Sequence, residues 1–519
     1  MTDLSSDKIN DLTARIKKNE GAFLTLIRER LGIIIHPHQK MDLHHTLLEA
    51  CQKFSLTPEE YLHILTFSSN NSLEFSHLIA GITIGETYFF RDNNQMQLLN
   101  DNLLPELIQS KRERDEYTIR IWSAGCSTGE DIYTIAMMLC ELIPDYKRWS
   151  LQLMGTDINA ISLQKATLGR YTQWSMRTIT DYFKNKYFTP VNHCFQISPQ
   201  LRELVNFSYL NLNENTYPSI LNGTNARDLI LCCNVLIYFD NVSIANLMKK
   251  LEDCLVPGGY LLLGASDPVI LKETELLQHH SQGLYFSRPA EKQWSPPSNP
   301  LLITSANTGA AKPTLVKTTL APITDLPKHT TPELGLITKL MRESQWQEAL
   351  NIIDKNIIQG KKTIFLLDAK ATALANLGKL SLAIICCHES MSLDPSNKQS
   401  YFTHAMILLE LNQLTEAETL LRKAIFFDHR FVEAHYQLGL LLFRCKNPEA
   451  GLKCFRNALS IAKNEKSDYP VSEFSNLTFK QLVTILENEL VIYSKHSDKN
   501  NSDGAKQSPG HSSSSRPLA

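Results

Sequence analysis

The sequence predicts a mostly parallel α/β sheet in the middle of the chain, with a helical domain before it and helical repeats after it. Three patterns predict this architecture: helical spacing of apolar residues up to about residue 85, short apolar runs alternating with amphipathic stretches from Ile119, and a 34-residue period near the C-terminus. The 519 residues exceed the length at which one hydrophobic core stops growing, roughly 250 to 300 residues. We therefore expect several domains.

The composition is ordinary for a soluble globular protein, with 43% hydrophobic and 20% charged residues and a formal net charge of −2. This charge gives no general attraction to nucleic acid. The polar N-terminus lacks a secretory apolar core, and no run approaches 18 apolar residues. We expect a cytoplasmic protein with no nucleic-acid partner and no membrane insertion. The eleven cysteines include no C-x-x-C pair, so we expect packing cysteines and no metal site.

The first two domains follow from periodicity. Residues 1–85 carry apolar groups at helical spacing, as at Phe23, Ile27 and Leu31, and predict a small helical domain. Residues 86–288 predict the sheet, with strands at IRIWSAG, LQLMGTD, VNFSYLNL, DLILCCNVLIYF, GYLLLGAS and GLYFSR. A helix is expected from about Val242 to Leu255, closed by Pro257-Gly258-Gly259. Residues 170–204 fit no strand–helix pair and predict an inserted subdomain.

The C-terminal part predicts a linker, repeats and a tail. Residues 289–330 are rich in Pro, Thr, Ser and Ala, which is typical of a flexible linker. Over residues 331–495, small residues recur every 34 positions, at Ala349, Ala383, Ala417 and Gly451 and again at Ala371, Ala405 and Gly439. That period is typical of tetratricopeptide repeats, with residues from about Val471 to Tyr493 as a capping helix. The polar residues 496–519 predict a disordered tail.

Two strand ends predict a nucleoside site. The first predicted strand runs into Ser123-Ala124-Gly125-Cys126-Ser127-Thr128-Gly129-Glu130, where glycines allow close approach of a ligand. The second ends at Asp157, whose carboxylate is placed to accept both ribose hydroxyls or to cap the next helix. No G-x-G-x-x-G occurs, so a nucleoside without a pyrophosphate fits better.

At these residues the chain resembles a known family. WSAGCSTGEDIYTIAM, GTDIN, the Asn211-Leu212 pair, DLILCCNVLIYFD, LVPGGYLLLG and the upstream TIGETYFFRD are similar to the chemoreceptor glutamate O-methyltransferases, called the CheR type. The resemblance covers about residues 23–288. It implies a Rossmann-like class I methyltransferase sheet and S-adenosyl-L-methionine as cofactor, with S-adenosyl-L-homocysteine as product.

The resemblance also implies the site residues. The cofactor-binding set is Thr87, Arg91, Glu130, Asp157, Asn211, Leu212, Asn234 and Val235. Arg91 and Tyr238 are expected closest to the transferred methyl, as the catalytic pair. A purely structural role remains open for both residues: Arg91 as a surface cation and Tyr238 as a core aromatic. No general base is needed, because glutamate, with a pKa of about 4.3, is already a carboxylate at neutral pH.

The resemblance further implies that the cytoplasmic domain of a chemoreceptor-like protein is the substrate. A basic helix face is expected to hold the receptor helix, with Arg28, Arg30 and Lys40 as candidates, although a merely solvated face explains them as well. The repeats, whose concave face suits an extended peptide, are expected to bind a protein or peptide partner.

Four positions depart from the family pattern. Gly85 replaces an asparagine, Ile132 a proline, Asp267 a glutamate and Cys233 an arginine. Loss of the arginine removes a fixed cation beside the pocket. A different function therefore stays open: a catalytically weak scaffold that binds S-adenosylmethionine and acts through its repeats. A small-molecule methyltransferase is a third alternative, for which the helical domain and repeats would be superfluous.

Overall fold

The N-terminal residues form a small helical domain. The computed structural model describes residues 6–67, 72–83, 87–280, 284–290, 332–475 and 477–503. The first helices are α1 (Ser6–Leu31), α2 (Lys40–Phe54), α3 (Pro58–Phe67) and α4 (Leu73–Ile82), with a 3₁₀ turn at Pro37–Gln39. Their apolar faces enclose one core, in which Phe23, Leu47 and Phe75 are fully buried. An interrupted helix then leads to the sheet, as α5 (Asn93–Leu98), a π-helical turn (Leu99–Leu103) and α6 (Leu104–Glu113).

The central part alternates strands with helices, as predicted. Its elements are β1 (Thr118–Ala124), α7 (Glu130–Leu142), β2 (Ser150–Asp157), α8 (Ala160–Leu168), β3 (Arg170–Tyr171), α9 (Asp181–Tyr187), β4 (Phe188–Val191), β5 (Cys194–Ile197), α10 (Pro199–Leu204), β6 (Val205–Tyr209), β7 (Arg227–Cys232), α11 (Asn241–Cys254), β8 (Leu255–Leu263), β9 (Leu277–His280) and β10 (Leu284–Ser287).

Seven of these strands form the main sheet, in the order β6-β2-β1-β7-β8-β10-β9. The first five are parallel, whereas β10 and β9 are each antiparallel to their neighbour. The chain builds outward from β1 to β6 and then returns to β7, so the strand order reverses between β1 and β7. A crevice at such a switch point, at the carboxyl ends of the strands, is where sheets of this kind bind ligands. The Rossmann-like fold class is confirmed.

A second, three-stranded antiparallel sheet, β3-β5-β4, lies between α8 and β6. With α9 and α10 it occupies residues 170–204, the segment that fits no strand–helix pair in the sequence.

One local expectation was wrong, and one strand was not predicted. Helix α11 ends at Cys254, and Pro257-Gly258-Gly259 lies inside β8 rather than closing the helix. The register shifts between Arg227 and Leu229, so the Pro-Gly-Gly signal marks an irregular strand start, where proline and glycine are tolerated. The edge strand β9, LQHH, was missed because it lacks the β-branched residues that mark strands.

The repeats form a chain of helix pairs that confirms the predicted solenoid. They are α12 (Pro332–Arg342), α13 (Trp346–Ile358), α14 (Ile364–Asn376), α15 (Leu380–Leu393), α16 (Lys398–Glu410), α17 (Leu414–Phe427), α18 (Val432–Arg444), α19 (Pro448–Lys463) and a final helix α20 (Phe479–Asp503). Ala349, Ala383 and Ala417 are fully buried. A Cβ on Gly439 would lie 2.5 Å from the Phe455 ring, so the small residues of the period permit close helix approach.

The predictions for the linker before the repeats and for the tail after them had different outcomes. The predicted linker lies almost wholly in residues 291–331, outside the described residues. The predicted tail was wrong for residues 496–503, which continue α20. A polar sequence extends an existing helix because each added residue gains a hydrogen bond without a new nucleus.

The repeats pack directly on the sheet. One apolar core joins Phe207 of β6 to Tyr436, Phe455 and Leu486 of the repeat helices. Glu410, at the end of α16, accepts hydrogen bonds from Arg120 of β1 at 2.8 Å and from Arg227 at 3.3 Å. The repeat helices are therefore part of the same packed body as the sheet.

Candidate active site

The crevice between β1 and β7 begins at the turn after β1. Gly125 has a φ of +74°, and a Cβ there would lie 2.5 Å from the Val235 side chain. Its N–H donates to the carbonyl of Thr156 on β2 at 2.8 Å. Only glycine fits this close, left-handed turn, which keeps the carboxyl edge of the sheet open.

Asp157 lies at the end of β2 in the same crevice. Its carboxylate accepts the backbone N–H groups of Ser127 and Asn159, each at 2.8 Å, and burial raises its pKa. The next helix is capped by Asn159, whose side chain accepts the N–H groups of Ile161 and Ser162. The helix-cap reading of Asp157 is therefore wrong, since a neighbour caps the helix.

The crevice widens into an open cleft with about 680 Å³ of empty space. Six residues of the predicted set line it: Asp157, Asn211, Leu212, Asn234, Val235 and Tyr238. Leu31, Ile33 and Thr83 of the N-terminal helical domain form the opposite wall and were missed in the sequence. Their contribution depends on how the helical domain packs over the sheet, which no local pattern reveals.

The N-terminal domain is bonded to the cleft loops. Asn211 donates through its side chain to the carbonyl of Arg30 at 3.1 Å, and Ile34 donates its N–H to the carbonyl of Tyr238 at 2.8 Å. Tyr238 is partly buried, lines the cleft and packs against the helical core. It is therefore a cleft residue as well as a packing aromatic.

Asp267 supports the loop after β7. Its carboxylate accepts the N–H groups of Asn234 at 2.5 Å, Gly264 at 2.8 Å and Leu236 at 2.9 Å. Asn234 itself has a φ of +60°, a conformation that asparagine tolerates better than most residues. The sequence marked Asp267 only as a departure from the family pattern; its bonds show that it holds two cofactor-binding candidates, Asn234 and Val235, in place.

Glu130 begins α7 and is buried beside the cleft rather than lining it. Thr128 donates to its carboxylate at 2.6 Å and Ser175 at 3.0 Å. Burial raises the pKa of Glu130 to about 7, although both hydrogen bonds lower it. A carboxyl group with this pKa changes its protonation state near neutral pH.

The segment that carries Thr87 and Arg91 is bonded to α7 and to the inserted segment 170–204. Phe89 donates its N–H to the carbonyl of Ser175 at 3.0 Å, and Phe90 donates to the Thr134 hydroxyl at 3.2 Å. Phe90 and Asp92 have positive φ values, so the backbone on both sides of Arg91 is strained. Thr87 and Arg91 do not line the cleft. Arg91 acts electrostatically on Asp131, whose pKa burial raises to about 6 and Arg91 lowers.

Cys233 lies on the side of the sheet that faces α5 and α7. Its thiol is 3.8 Å from the side-chain oxygen of Gln95, and burial together with the nearby Asp131 carboxylate raises its pKa well above the usual value. The position where the family carries an arginine thus holds a neutral group next to a carboxylate.

The three predicted substrate-binding cations have partners. Arg28 forms an exposed ion pair with Asp240 at 2.7 Å, and Lys40 pairs with Glu20. Arg30 packs over the Phe75 ring at 4.5 Å and donates to the carbonyl of Leu65 at 2.6 Å. The geometry makes Arg30 a packing residue, whereas the other two are held by exposed or half-exposed ion pairs that exchange easily.

The chain is similar to known proteins over the sheet and over part of the repeats. Residues 85–286 match the family model described as CheR methyltransferase, SAM binding domain, and residues 398–425 and 432–465 match the tetratricopeptide repeat. The chain is 32% identical over 269 residues to a chemotaxis protein methyltransferase of Borreliella burgdorferi, covering 51% of this chain and 93% of that protein.

This chain belongs to the CheR methyltransferase family. It is also 34% identical to chemotaxis protein methyltransferase 2 of Vibrio cholerae, over 42% of this chain and 74% of the relative. The chemotaxis protein methyltransferase of Escherichia coli is 30% identical, over 49% and 87%. The cofactor of this family domain is S-adenosylmethionine.

The CheR-family cleft fits that cofactor. Asp157 offers a carboxylate for a diol, and Leu212 and Val235 provide apolar walls for a flat base. The hydroxyls of Ser127 and Thr87 are buried and have no hydrogen-bond partner among the described residues. Buried hydroxyls are rarely left unpaired, so the hydroxyl of Ser127, which lines the cleft, is available for a polar group of a ligand. In the described residues, no group of histidine, cysteine or acidic side chains is arranged to hold a metal, and no helix is long and apolar enough to cross a membrane.

Proposed function

We propose that this CheR-family protein transfers the methyl group of S-adenosylmethionine to glutamate side chains of chemoreceptor-like proteins in a cytoplasmic chemosensory pathway, and that its repeats dock a protein partner. The names of the curated relatives support the pathway. Tetratricopeptide repeats generally present extended binding surfaces, which supports the docking role.

One observation carries the proposal: Asp157, which is proposed to bind the ribose, and Tyr238 line the same solvent-open cleft. A closed pocket would admit only small molecules. The cleft is open to solvent, and the N-terminal helical domain forms one of its walls. It therefore leaves room for a side chain carried by another protein.

The chemistry requires positioning more than acid–base catalysis. The bound cofactor supplies a methyl group on a positively charged sulfur. A glutamate carboxylate attacks this carbon and the neutral thioether leaves, so no proton is transferred. Tyr238 is proposed to orient the carboxylate in the cleft, while Arg91 is proposed to hold the cofactor's own carboxylate. Glu130 and Thr87 are proposed to bind the same end of the cofactor.

The acidic substrate helix is proposed to meet Arg28 and Lys40. Their ion pairs with Asp240 and Glu20 are at the surface, where such pairs contribute about 0 to 1 kcal/mol. A receptor carboxylate can replace the internal partner at little cost. Arg30 is not included, because its guanidinium group is already packed on Phe75.

The test is transfer of labelled methyl from S-adenosylmethionine to membranes containing the organism's chemoreceptors. We expect base-labile label with the intact protein and at least a hundredfold less with Tyr238→Phe or Arg91→Ala. Arg28→Ala should raise the KM for receptor without changing the dissociation constant of the cofactor. An unchanged rate in Tyr238→Phe would remove the residue from the catalytic role.

The scaffold alternative is favoured by one observation, the neutral Cys233 beside Asp131. Normal cofactor affinity by calorimetry, combined with no label on any receptor, would support it and overturn the proposed methyl transfer. A gain of methyl transfer in a Cys233→Arg variant would show that Cys233 is the cause of the weak activity.

A further inference from the structure

A loop between α19 and α20 closes on itself and points into the repeats. Phe479 donates its N–H to the carbonyl of Tyr469 at 3.0 Å, Lys480 donates to Ser467 at 2.9 Å, and Val471 donates to Leu477 at 2.8 Å. These bonds fix the two ends of residues 467–480, of which 476 is outside the described residues. We call this segment the plug loop.

The tip of the plug loop is anchored by one aromatic side chain. Phe474 is 9% exposed and lies with its ring 5.4 Å from the Phe365 ring of α14. It belongs to the apolar cluster that Ile337, Met341 and Ile353 form between the first two repeats. The chain leaves the fourth repeat after α19, so the loop reaches back along the solenoid to its beginning.

Polar contacts hold the two residues that precede Phe474 in the tip. Arg342 of α12 donates from its guanidinium group to the carbonyl of Glu473 at 3.0 Å. The hydroxyl of Ser472 bonds to the buried carboxyl group of Glu433 on α18, whose pKa burial raises to about 7. The Glu473 side chain is exposed and feels the positive charge of Arg342.

The loop shares its groove with a large open space. The groove is lined by the beginnings of the first helices of repeats two to four, including Phe365, Lys398 and Glu433, and has a cavity volume of about 440 Å³. An aromatic anchor in an apolar pocket, a backbone carbonyl held by arginine and space for further residues are the features of peptide recognition in a groove.

We propose that this groove is a peptide-binding site that the plug loop occupies as an internal ligand. The partner is an extended protein segment with an aromatic residue directly after an acidic one, as in Glu473-Phe474. It binds by displacing the loop tip, with its aromatic ring against Phe365 and its acidic group near Arg342. This rests on the proposed docking role of the repeats and is independent of methyl transfer.

A tethered ligand competes strongly, because a short flexible tether gives an effective concentration in the millimolar range. A free peptide of the same sequence should therefore bind weakly to the intact protein. Removing the internal anchor should expose the site.

The experiment measures binding of a fluorescent peptide carrying residues 469–479 to the full-length protein by anisotropy. We expect binding to Phe474→Ala to be at least tenfold tighter than to the wild type. Phe365→Ala added to that variant should abolish the gain, and a peptide with alanine at the position of Phe474 should not bind. Equal affinity for wild type and Phe474→Ala, or binding that survives Phe365→Ala, would overturn the proposal.

A second measurement uses the wild-type chain and so does not depend on a core substitution. Unlabelled peptide at millimolar concentration should raise the hydrogen–deuterium exchange of residues 471–475, and the alanine peptide should not. No change in exchange would also overturn the proposal. Methyl transfer is assayed separately, so failure of the docking site and failure of the enzyme activity are distinguishable.

Discussion

At the residue scale, the cleft is built from backbone hydrogen bonds to two carboxylates. Asp157 fixes the turn after β1, and Asp267 fixes the loop that carries Asn234. Each therefore has a structural task beside any contact with the cofactor. The motifs located Asp157 correctly, because a carboxylate at the end of a buried strand is visible in the sequence. They did not reveal the bonds of Asp267 to the N–H groups of Asn234 and Leu236, which lie more than 30 residues away in the chain.

Asp157→Asn should weaken S-adenosylmethionine binding by about tenfold or more, close to 1.4 kcal/mol. The amide keeps one acceptor oxygen but brings a donor where the carboxylate accepts N–H groups and would accept a ribose hydroxyl. Calorimetric titration of the cofactor measures the change. Asp101→Asn, at an exposed site on the π-helical turn, is the matched control. Equal affinity in both variants would contradict the assignment.

At the scale of elements, the repeat helices depend on small residues at fixed positions. The 34-residue period was visible because each repeat solves the same packing problem. The sequence could not show which side chain of the neighbouring helix each small residue contacts. Gly439 of α18, for example, faces the Phe455 ring of α19.

Gly439→Ala should lower the free energy of unfolding by about 1 to 3 kcal/mol, because the added methyl group overlaps the buried ring. Helix propensity alone would favour alanine by up to about 1 kcal/mol. Gly335→Ala in α12 measures the effect of helix propensity alone, since a Cβ there meets nothing within 4 Å. The thermal unfolding midpoints of the two variants should therefore shift in opposite directions. A Gly439→Ala variant more stable than the wild type would contradict the close contact of Gly439 with the Phe455 ring.

At the scale of the whole molecule, the repeats and the sheet act as one body. Glu410 is nearly buried and neutralises part of the charge of Arg120 and Arg227, both buried. Helix α20 continues the contact, since Glu489 accepts the N–H of Tyr209 at the end of β6. The repeat region is thereby in contact with β6, the strand that leads to Asn211.

Glu410→Gln should lower the free energy of unfolding by about 3 to 5 kcal/mol, because it removes the carboxylate that both buried guanidinium groups bond to. Glu418→Gln, which removes only an exposed pair with Arg422, should cost less than about 0.5 kcal/mol. Denaturant unfolding of the full chain compares them. Similar small losses would mean that the repeats do not pack on the sheet as described.

Stability should fall as the pH rises from about 5 to 8. Burial raises the pKa of Glu489 to about 8, above the value of 4.5 expected when unfolded, so the folded state binds more protons in this range. Glu130 and Glu433, each with a pKa raised to about 7, act in the same direction. Glu489→Gln should flatten the dependence, measured as unfolding midpoints across this range; a slope equal to that of the wild type would exclude Glu489 as a contributor.

The sequence by itself determined the fold class, the repeats and a nucleoside site, because strand ends, glycine turns and a fixed repeat period are local patterns. The resemblance of its motifs to a known family implied S-adenosylmethionine and six of the residues that line the cleft. The tertiary structure alone decided that Asn159 caps α8, that Arg30 packs on Phe75, and that Phe474 packs in the apolar cluster of the first two repeats. It also decided that the repeats share a core with the sheet. These contacts join residues far apart in the chain, and their partners are selected by burial and charge pairing that appear only once the elements have packed.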